Sequence, residues 1–245
     1  MRDQRQPGYG HEPHGAGAAP PLGEGEDTLH SVLVWDLPVR LFHWLTVVLM
    51  IAAYLTWRLN WMDWHAWVGD ALLALVLFRL LWGFCGSETA RFRHFIASPQ
   101  KAARQLARLG RREPDHQLGH NPAGGWMVIM LLALLLAQAL SGLYVNNDVA
   151  NEGPLTPLSP ARMADALTDL HDVFLWGALV AAAVLHVLAI IAYRVAKGHN
   201  LVVPMITGHK RLPQPISPPR MVRWTRALLC LVCAVAVAVV LANWL

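Results

Sequence analysis

Leu170-His-Asp-Val-Phe-Leu-Trp-Gly-Ala-Leu-Val-Ala-Ala-Ala-Val-Leu-His186, which continues apolar to Tyr193, decides how this chain is read. It sets two histidines fifteen positions apart in one long hydrophobic run. At about 100° per residue, fifteen steps leave the two rings within roughly 60° of each other on one helix face, with a rise of about 22 Å between them. That rise is most of the hydrocarbon thickness of a bilayer. A histidine at membrane depth is costly and needs a partner. Two on one face, one toward each leaflet, suit axial ligands for two haems. A pair of helix-packing histidines with hydrogen-bonded rings suits the same spacing, and the run alone leaves both readings open.

Composition supports a membrane setting. Of the 245 residues, 55% are hydrophobic and only 15% charged, and the mean hydropathy is +0.36. This is too apolar for an ordinary soluble domain and predicts an all-α integral membrane protein. Eleven tryptophans suit membrane interfaces. The net charge of +4 comes from basic loops and is no nucleic-acid signal. Cys85, Cys230 and Cys233 lie in or beside apolar runs, so no disulfide scaffold is expected.

Residues 1–31 read as a disordered tail, low in complexity from Gly8 to Pro21 and without the pattern of a cleavable signal peptide. His11 and His14 there read as solvated. Val32 to Arg40 leads into a first span from Leu41 to about Trp57, with Pro38 suited to a helix start and His43 early in the run. The second span covers about Trp64 to Phe84, opens on His65 and contains Asp70 and Arg79. A basic segment follows, in which residues 100–109 suit a surface helix and Gly119 to Gly125 a turn. The third span, about Trp126 to Val145, holds Gln138 but no histidine. Residues 146–169 read as an acidic loop, the fourth span runs from about Leu170 to Tyr193, and a fifth covers Ala227 to Leu245. The segments 86–123 and 194–226 are basic, which places them in the cytoplasm by the positive-inside rule. The N-terminus is then cytoplasmic and the C-terminus periplasmic.

Depth pairs the histidines. His43 lies fifteen residues before Arg58, and His186 fifteen residues after His171. Both therefore fall about 22 Å from the outer boundary. His65 opens span two at the level of His171. Two candidate pairs result, His43 with His186 inside and His65 with His171 outside, each joining different helices as bis-imidazole ligation of haem iron requires. Four unpaired membrane histidines would be costly. A zinc site would need its ligands to converge at one point, whereas these pairs lie some 20 Å apart. The remaining histidines (30, 94, 116, 120, 199, 209) fall in polar loops and read as solvated.

Arg79 lies level with the inner pair, so its guanidinium suits either a haem propionate or snorkelling to the cytoplasmic headgroups. Asp70, about 7 Å below the outer boundary, reads first as a structural or water-facing carboxylate and second as a proton relay for a quinone. Cys230 and Cys233 form Cys-x-x-Cys inside an apolar helix. That setting favours small-residue packing over redox chemistry.

Several motifs resemble the bacterial cytochrome b561 family, which includes the b-type cytochrome subunits of nickel–iron hydrogenases. They are Val34-Trp-Asp-Leu-Pro-Val-Arg-Leu-Phe-His-Trp44, His65-Ala-Trp-Val-Gly69, Leu77 to Phe84, Ala90-Arg-Phe92, Gly119-His-Asn-Pro-Ala-Gly-Gly-Trp126, the His171/His186 helix and Asn200 to Gly208. The resemblance covers about residues 33–212. It implies a four-helix transmembrane bundle binding two haem b groups, whose ligand histidines fall on His43, His65, His171 and His186. It also implies electron exchange between a partner redox protein and membrane quinone. Asp172 stands where the family commonly has Glu, and the fifth run lies outside the usual four-span core.

The expected organisation is thus a tail (1–31), a four-helix transmembrane domain (32–212), and a linker with an extra C-terminal transmembrane helix (213–245). The expected function is respiratory electron transport in the bacterial inner membrane, between the quinone pool and a periplasmic c-type cytochrome or hydrogenase-like protein. A stand-alone quinone-linked oxidoreductase, such as a superoxide oxidase, and a haem-containing membrane anchor subunit are the alternatives.

Overall fold

A computed structural model describes residues 29–108, 110–111, 117–146 and 152–243. The tail with His11 and His14, and the loop residue His116, lie outside the described residues. Described elements run in the order β1 (His30–Leu33), α1 (Leu37–Arg58), α2 (Met62–Cys85), α3 (Phe92–Phe95), α4 (Pro99–Ala107), α5 (Pro122–Gly142), α6 (Ala161–Asp169), α7 (Trp176–Ala192), α8 (Val202–Thr207), β2 (His209–Leu212) and α9 (Trp224–Ala242). A π-helical turn, Leu170–Leu175, joins α6 to α7, and a second one, Tyr193–Lys197, ends α7. Among the described residues, five helical stretches are long and apolar enough to cross a membrane: α1, α2, α5, the continuous Ala161–Lys197 rod, and α9.

α1 begins where Asp36 can cap it. Asp36 Oδ1 accepts from the Val39 amide at 2.9 Å, and Pro38 occupies the first turn, where a missing N–H costs nothing. The helix thus starts at Leu37, before the first fully apolar stretch. The other carboxylate oxygen, Oδ2, accepts from the indole Nε1 of fully buried Trp82 at 2.9 Å. One side chain therefore both starts α1 and clips it to the last turn of α2. A tight turn between the two helices passes through Asn60 at φ 57, a residue type that tolerates left-handed backbone.

α2 is the central helix, packed against α1, α5 and α9. Val76, Leu135 and Leu179 form a buried cluster joined by Met50, so α2, α5, α7 and α1 meet in one bundle core. Outward faces keep apolar side chains exposed, as at Val184, Leu185, Leu188 and Ile191 on α7, where lipid would cover them. Trp57, Trp61, Trp64 and Trp67 are exposed around the α1–α2 turn, as an interfacial belt requires.

α9 docks on α2 through a stripe of small residues. Cys230, Ala234 and Ala238 are buried at intervals of four, while Cys233 points outward. The linker that leads to α9 is fastened beyond the end of α2. Glu88 and Arg220 exchange two hydrogen bonds, from the Arg220 amide to Glu88 Oε2 at 2.9 Å and from the Glu88 amide to the Arg220 carbonyl at 3.0 Å. The bond from the Arg220 amide is the main reason the Glu88 carboxyl is held below its ordinary range. The Val222 amide donates to buried Ser87 Oγ at 3.1 Å.

Three local readings change. Residues 122–125 form the first turn of α5 instead of a loop, because Asn121 Oδ1 caps it from the Gly124 amide at 2.7 Å and Pro122 follows. The acidic loop is helical from Ala161 and runs unbroken into the fourth span. His30 and His209 lie in an antiparallel pair of strands, with Leu33 opposite His209. This pair closes through Gly208, whose carbonyl accepts from the Val34 and Trp35 amides at 2.8 and 3.1 Å. Gly208 has φ +84, and a Cβ there would sit 2.8 Å from the Trp35 carbonyl oxygen, so only glycine fits. The basic surface helix is present as α4, with Lys101 and Arg104 exposed.

Cys85 Sγ and Cys230 Sγ lie 3.2 Å apart across the α2–α9 contact. Mild oxidation of the intact protein with diamide should join them, with loss of two hydrogens and a cross-linked peptide by mass spectrometry. The link should disappear in Cys85→Ser and persist in Cys233→Ser; a Cys85–Cys233 product would place α9 in a different rotation.

Candidate functional site

The fold gathers four histidines into two pairs. His65, in the first turn of α2, faces His171, in the π turn before α7; their ring centroids are 6.4 Å apart, with planes at 89°. His43, in the second turn of α1, faces His186 on α7, again at 6.4 Å, with planes at 54°. All four rings are half-buried.

The outer rings are held by main-chain carbonyls. His65 Nδ1 lies 2.9 Å from the Ala53 carbonyl of α1, and His171 Nδ1 lies 2.9 Å from the Gln138 carbonyl of α5. A carbonyl only accepts, so Nδ1 carries the proton in each ring and Nε2 keeps its lone pair. That is the tautomer of a metal-ligating imidazole steadied from behind. Ser141 Oγ stands 3.1 Å from His171 Nδ1, and the side-chain Nε2 of Gln138 donates to the His171 carbonyl at 3.1 Å and stands 3.3 Å from both ring nitrogens. Gly142 makes room for the ring, since a Cβ there would lie 2.9 Å from His171 Cε1.

The π turn matters to ring alignment. Its i→i+5 hydrogen bonds take one more residue per turn than an α-helix. The fifteen steps from His171 to His186 therefore turn through less than the roughly 1500° of a regular helix, which brings the rings closer to a common meridian.

The gap in both pairs is too wide for a hydrogen bond between rings. With metal–nitrogen bonds of about 2 Å and ring nitrogens about 1 Å from each centroid, a metal midway would hold the centroids about 6 Å apart. The observed 6.4 Å fits that arrangement. His43 Nδ1 is also buried without a hydrogen-bond partner. Among the described residues, no group of three or more His, Cys, Asp or Glu side chains converges as a metal cage. Two imidazoles alone suit a metal that brings its remaining ligands with it, as haem iron does.

Arg79 is 2% exposed and does not reach the rim as a snorkelling side chain would. Its guanidinium carbon lies 5.3 Å over the Phe92 ring, and Nη1 is buried with no hydrogen-bond partner. Asp70 borders a groove of about 420 Å³ between α1, α2 and α9 and forms no hydrogen bond or ion pair among the described residues.

His120 departs from its sequence reading. It is packed between Trp35 at 4.6 Å and Phe95 at 4.8 Å, and its Nδ1 is buried without a partner. Burial, then the charge of Arg79, and then His186, His43 and Lys210 push its pKa down to about 3, so the ring is neutral at pH 7. The cap at Asn121 and the strand-side position of Trp35 swing it inward. His94 and His209 are exposed and His199 is half-buried.

Comparison with known proteins shows the family. The model of one family, prokaryotic cytochrome b561, matches residues 34–208. A curated relative from Rhodobacter capsulatus, named a probable Ni/Fe-hydrogenase B-type cytochrome subunit, is 22% identical over 214 residues, covering 74% of this chain and 81% of that protein. No solved structure matches significantly. The chain belongs to the prokaryotic cytochrome b561 family: it is a multi-pass bacterial membrane protein, a b-type cytochrome of electron transfer.

Gly142→Val should crowd His171 and weaken haem retention by about tenfold or more, the usual scale for disturbing a ligand's support. Haem released per chain during detergent washing, measured as the pyridine adduct, checks this. Gly110→Ala, where a Cβ meets nothing within 4 Å, should match the unaltered protein.

Proposed function

We propose that this protein is a di-haem cytochrome of the bacterial inner membrane that passes electrons singly between a periplasmic redox partner and the quinone pool. His65 and His171 hold the outer haem b, and His43 and His186 the inner. The observation that carries the reading is the equal 6.4 Å gap in two histidine pairs drawn from separate helices. The positions of the pairs along their helices support opposite depths.

When bound, haem iron supplies reversible one-electron chemistry tuned by its axial ligands and surroundings. The protein's own groups do the rest. His65 with His171, and His43 with His186, would hold the iron from two helices each and leave it no place for oxygen, which suits electron transfer. The Ala53 and Gln138 carbonyls fix the outer rings and raise their basicity, which favours the oxidised state. Arg79 places a buried positive charge at the depth of the inner pair, where a haem propionate would need one. Packing within the bundle half-buries all four rings.

The relative's name, a hydrogenase cytochrome subunit, favours a hydrogenase-like or c-type cytochrome partner on the periplasmic side. Basic loops between α2 and α5 and after α7 support a cytoplasmic N-terminus and a periplasmic C-terminus.

Purified protein should contain two haem b per chain, both reducible and reoxidised by a soluble quinone analogue. His171→Ala or His65→Ala should remove one haem, and His43→Ala or His186→Ala the other, as two spectrally distinct losses. Retention of both haems in His171→Ala would require the pairs to be redrawn.

Orientation has its own test. Alkaline phosphatase fused after Leu245 should be active and a cytoplasmic fluorescent reporter at the same point dark; the opposite pattern would reverse the termini.

A further inference from the structure

Beside the inner histidine pair, the buried charge of Arg79 has a companion in His120, to which the proposed function gives no role. Arg79 on α2 is 2% exposed, with Nη1 buried and unpartnered. His120, from the loop that caps α5, has Nδ1 in the same condition. The two groups come from segments about forty residues apart, yet the ring under Arg79, Phe92, and a ring beside His120, Phe95, touch each other with centroids 5.8 Å apart. Each also has an aromatic brace: Phe92 beneath the guanidinium, and Trp35 and Phe95 on either side of the imidazole. Phe92 and Phe95 belong to the short α3 and share one buried cluster with Leu132, joined by Phe42, the residue before His43. That cluster packs the braces of Arg79 and His120 against the helix turn that carries His43.

A buried polar atom without a partner is costly, and more so if it is charged. Two such atoms held by packing beside one site, a guanidinium N–H and a ring nitrogen able to carry the imidazole proton, call for an acceptor that arrives with a ligand. Among the described residues no carboxylate hydrogen-bonds either atom: Asp36, whose charge acts on Arg79, has its two oxygens taken by the Val39 amide and the Trp82 indole. Haem b carries two carboxylates on one edge, and a guanidinium with a neutral imidazole N–H can serve an anion of that kind.

We infer that His120 and Arg79 together form the anchoring pocket for the propionate edge of the inner haem, His120 donating through Nδ1–H and Arg79 through its guanidinium. This rests on the inner haem proposed above. Asn121 then has a double use: its cap sets the start of α5 and holds the preceding histidine at the pocket.

The test uses the full-length protein in detergent, with the unaltered chain, His120→Ala, His120→Gln and Arg79→Gln compared. Haem per chain and the two midpoint potentials are read by spectroelectrochemical titration. Loss of a donor to an anionic carboxylate leaves more negative charge beside the iron, so the midpoint of one haem should fall while the other stays. The affected haem should be the one lost in His43→Ala. His120→Gln keeps an N–H donor and should recover most of the shift.

The same variants are then reconstituted with haem b dimethyl ester, whose propionates carry no charge. There the effect of His120→Ala should vanish. Unchanged potentials and haem retention in His120→Ala and Arg79→Gln with native haem would overturn the pocket, as would an equal shift with the ester. An unaltered protein that binds no haem at the His43/His186 level would instead overturn the di-haem reading itself.

Discussion

An imidazole buried in hydrocarbon has two nitrogens to satisfy, and at the outer pair the bundle supplies a main-chain partner for one in each ring. The carbonyls of Ala53 and Gln138 take the Nδ1 protons of His65 and His171. Both carbonyls belong to helices other than the one carrying the ring. Much of the local architecture follows from this. Gly142 must be small, Ser141 must present its hydroxyl, and the helix after Asp169 must widen into a π turn that aims His171 toward α5 and α2. At the inner pair the same requirement is left open in a different way, with His43 Nδ1 unpartnered and two further nitrogens, Arg79 Nη1 and His120 Nδ1, buried without a hydrogen-bond partner.

The spans were legible in the sequence because hydropathy and length are local properties. Pro38, the basic surface helix and the small residues of the fifth run could be read for the same reason. Helix rise could set His43 level with His186 and His65 level with His171, but rotation could not be read as safely. A π turn leaves no mark on hydropathy, and it changes the angle between His171 and His186. His120 escaped because a polar loop is normally wet; its burial depends on Trp35 and Phe95, which approach from distant parts of the chain. The only available hint was that His120 immediately precedes Asn121-Pro122, a capping pair that fixes where the side chain before it can go. The β1–β2 pairing was illegible for a similar reason. Each strand is four residues long, and they are joined across nearly the whole chain.

The fifth helix sits apart from the histidine pairs yet is bound to the element that positions one of them. It uses the face of α2 that α1 and α5 leave uncovered, and its linker is tied to Ser87 and Glu88 just beyond the end of α2. α2 is therefore held along its length by three neighbours, while Asp36 and Trp82 fix its last turn against the start of α1. Helices α1 and α2, which carry His43 and His65, are thus clipped at one end and joined by a tight turn at the other. This restrains sliding between them.

His171 and His186 differ from that arrangement, because both ride on one unbroken helical rod from Ala161 to Lys197. For redox centres held at those two positions, the separation is written into a single hydrogen-bonded ladder instead of an interface between packed helices. Electron tunnelling weakens steeply with distance, so side-chain repacking or a change of lipid can alter how well each centre is gripped without greatly lengthening the hop between them. With two haems held as proposed, the rod would act as a ruler for the electron, with α1 and α2 closing upon it.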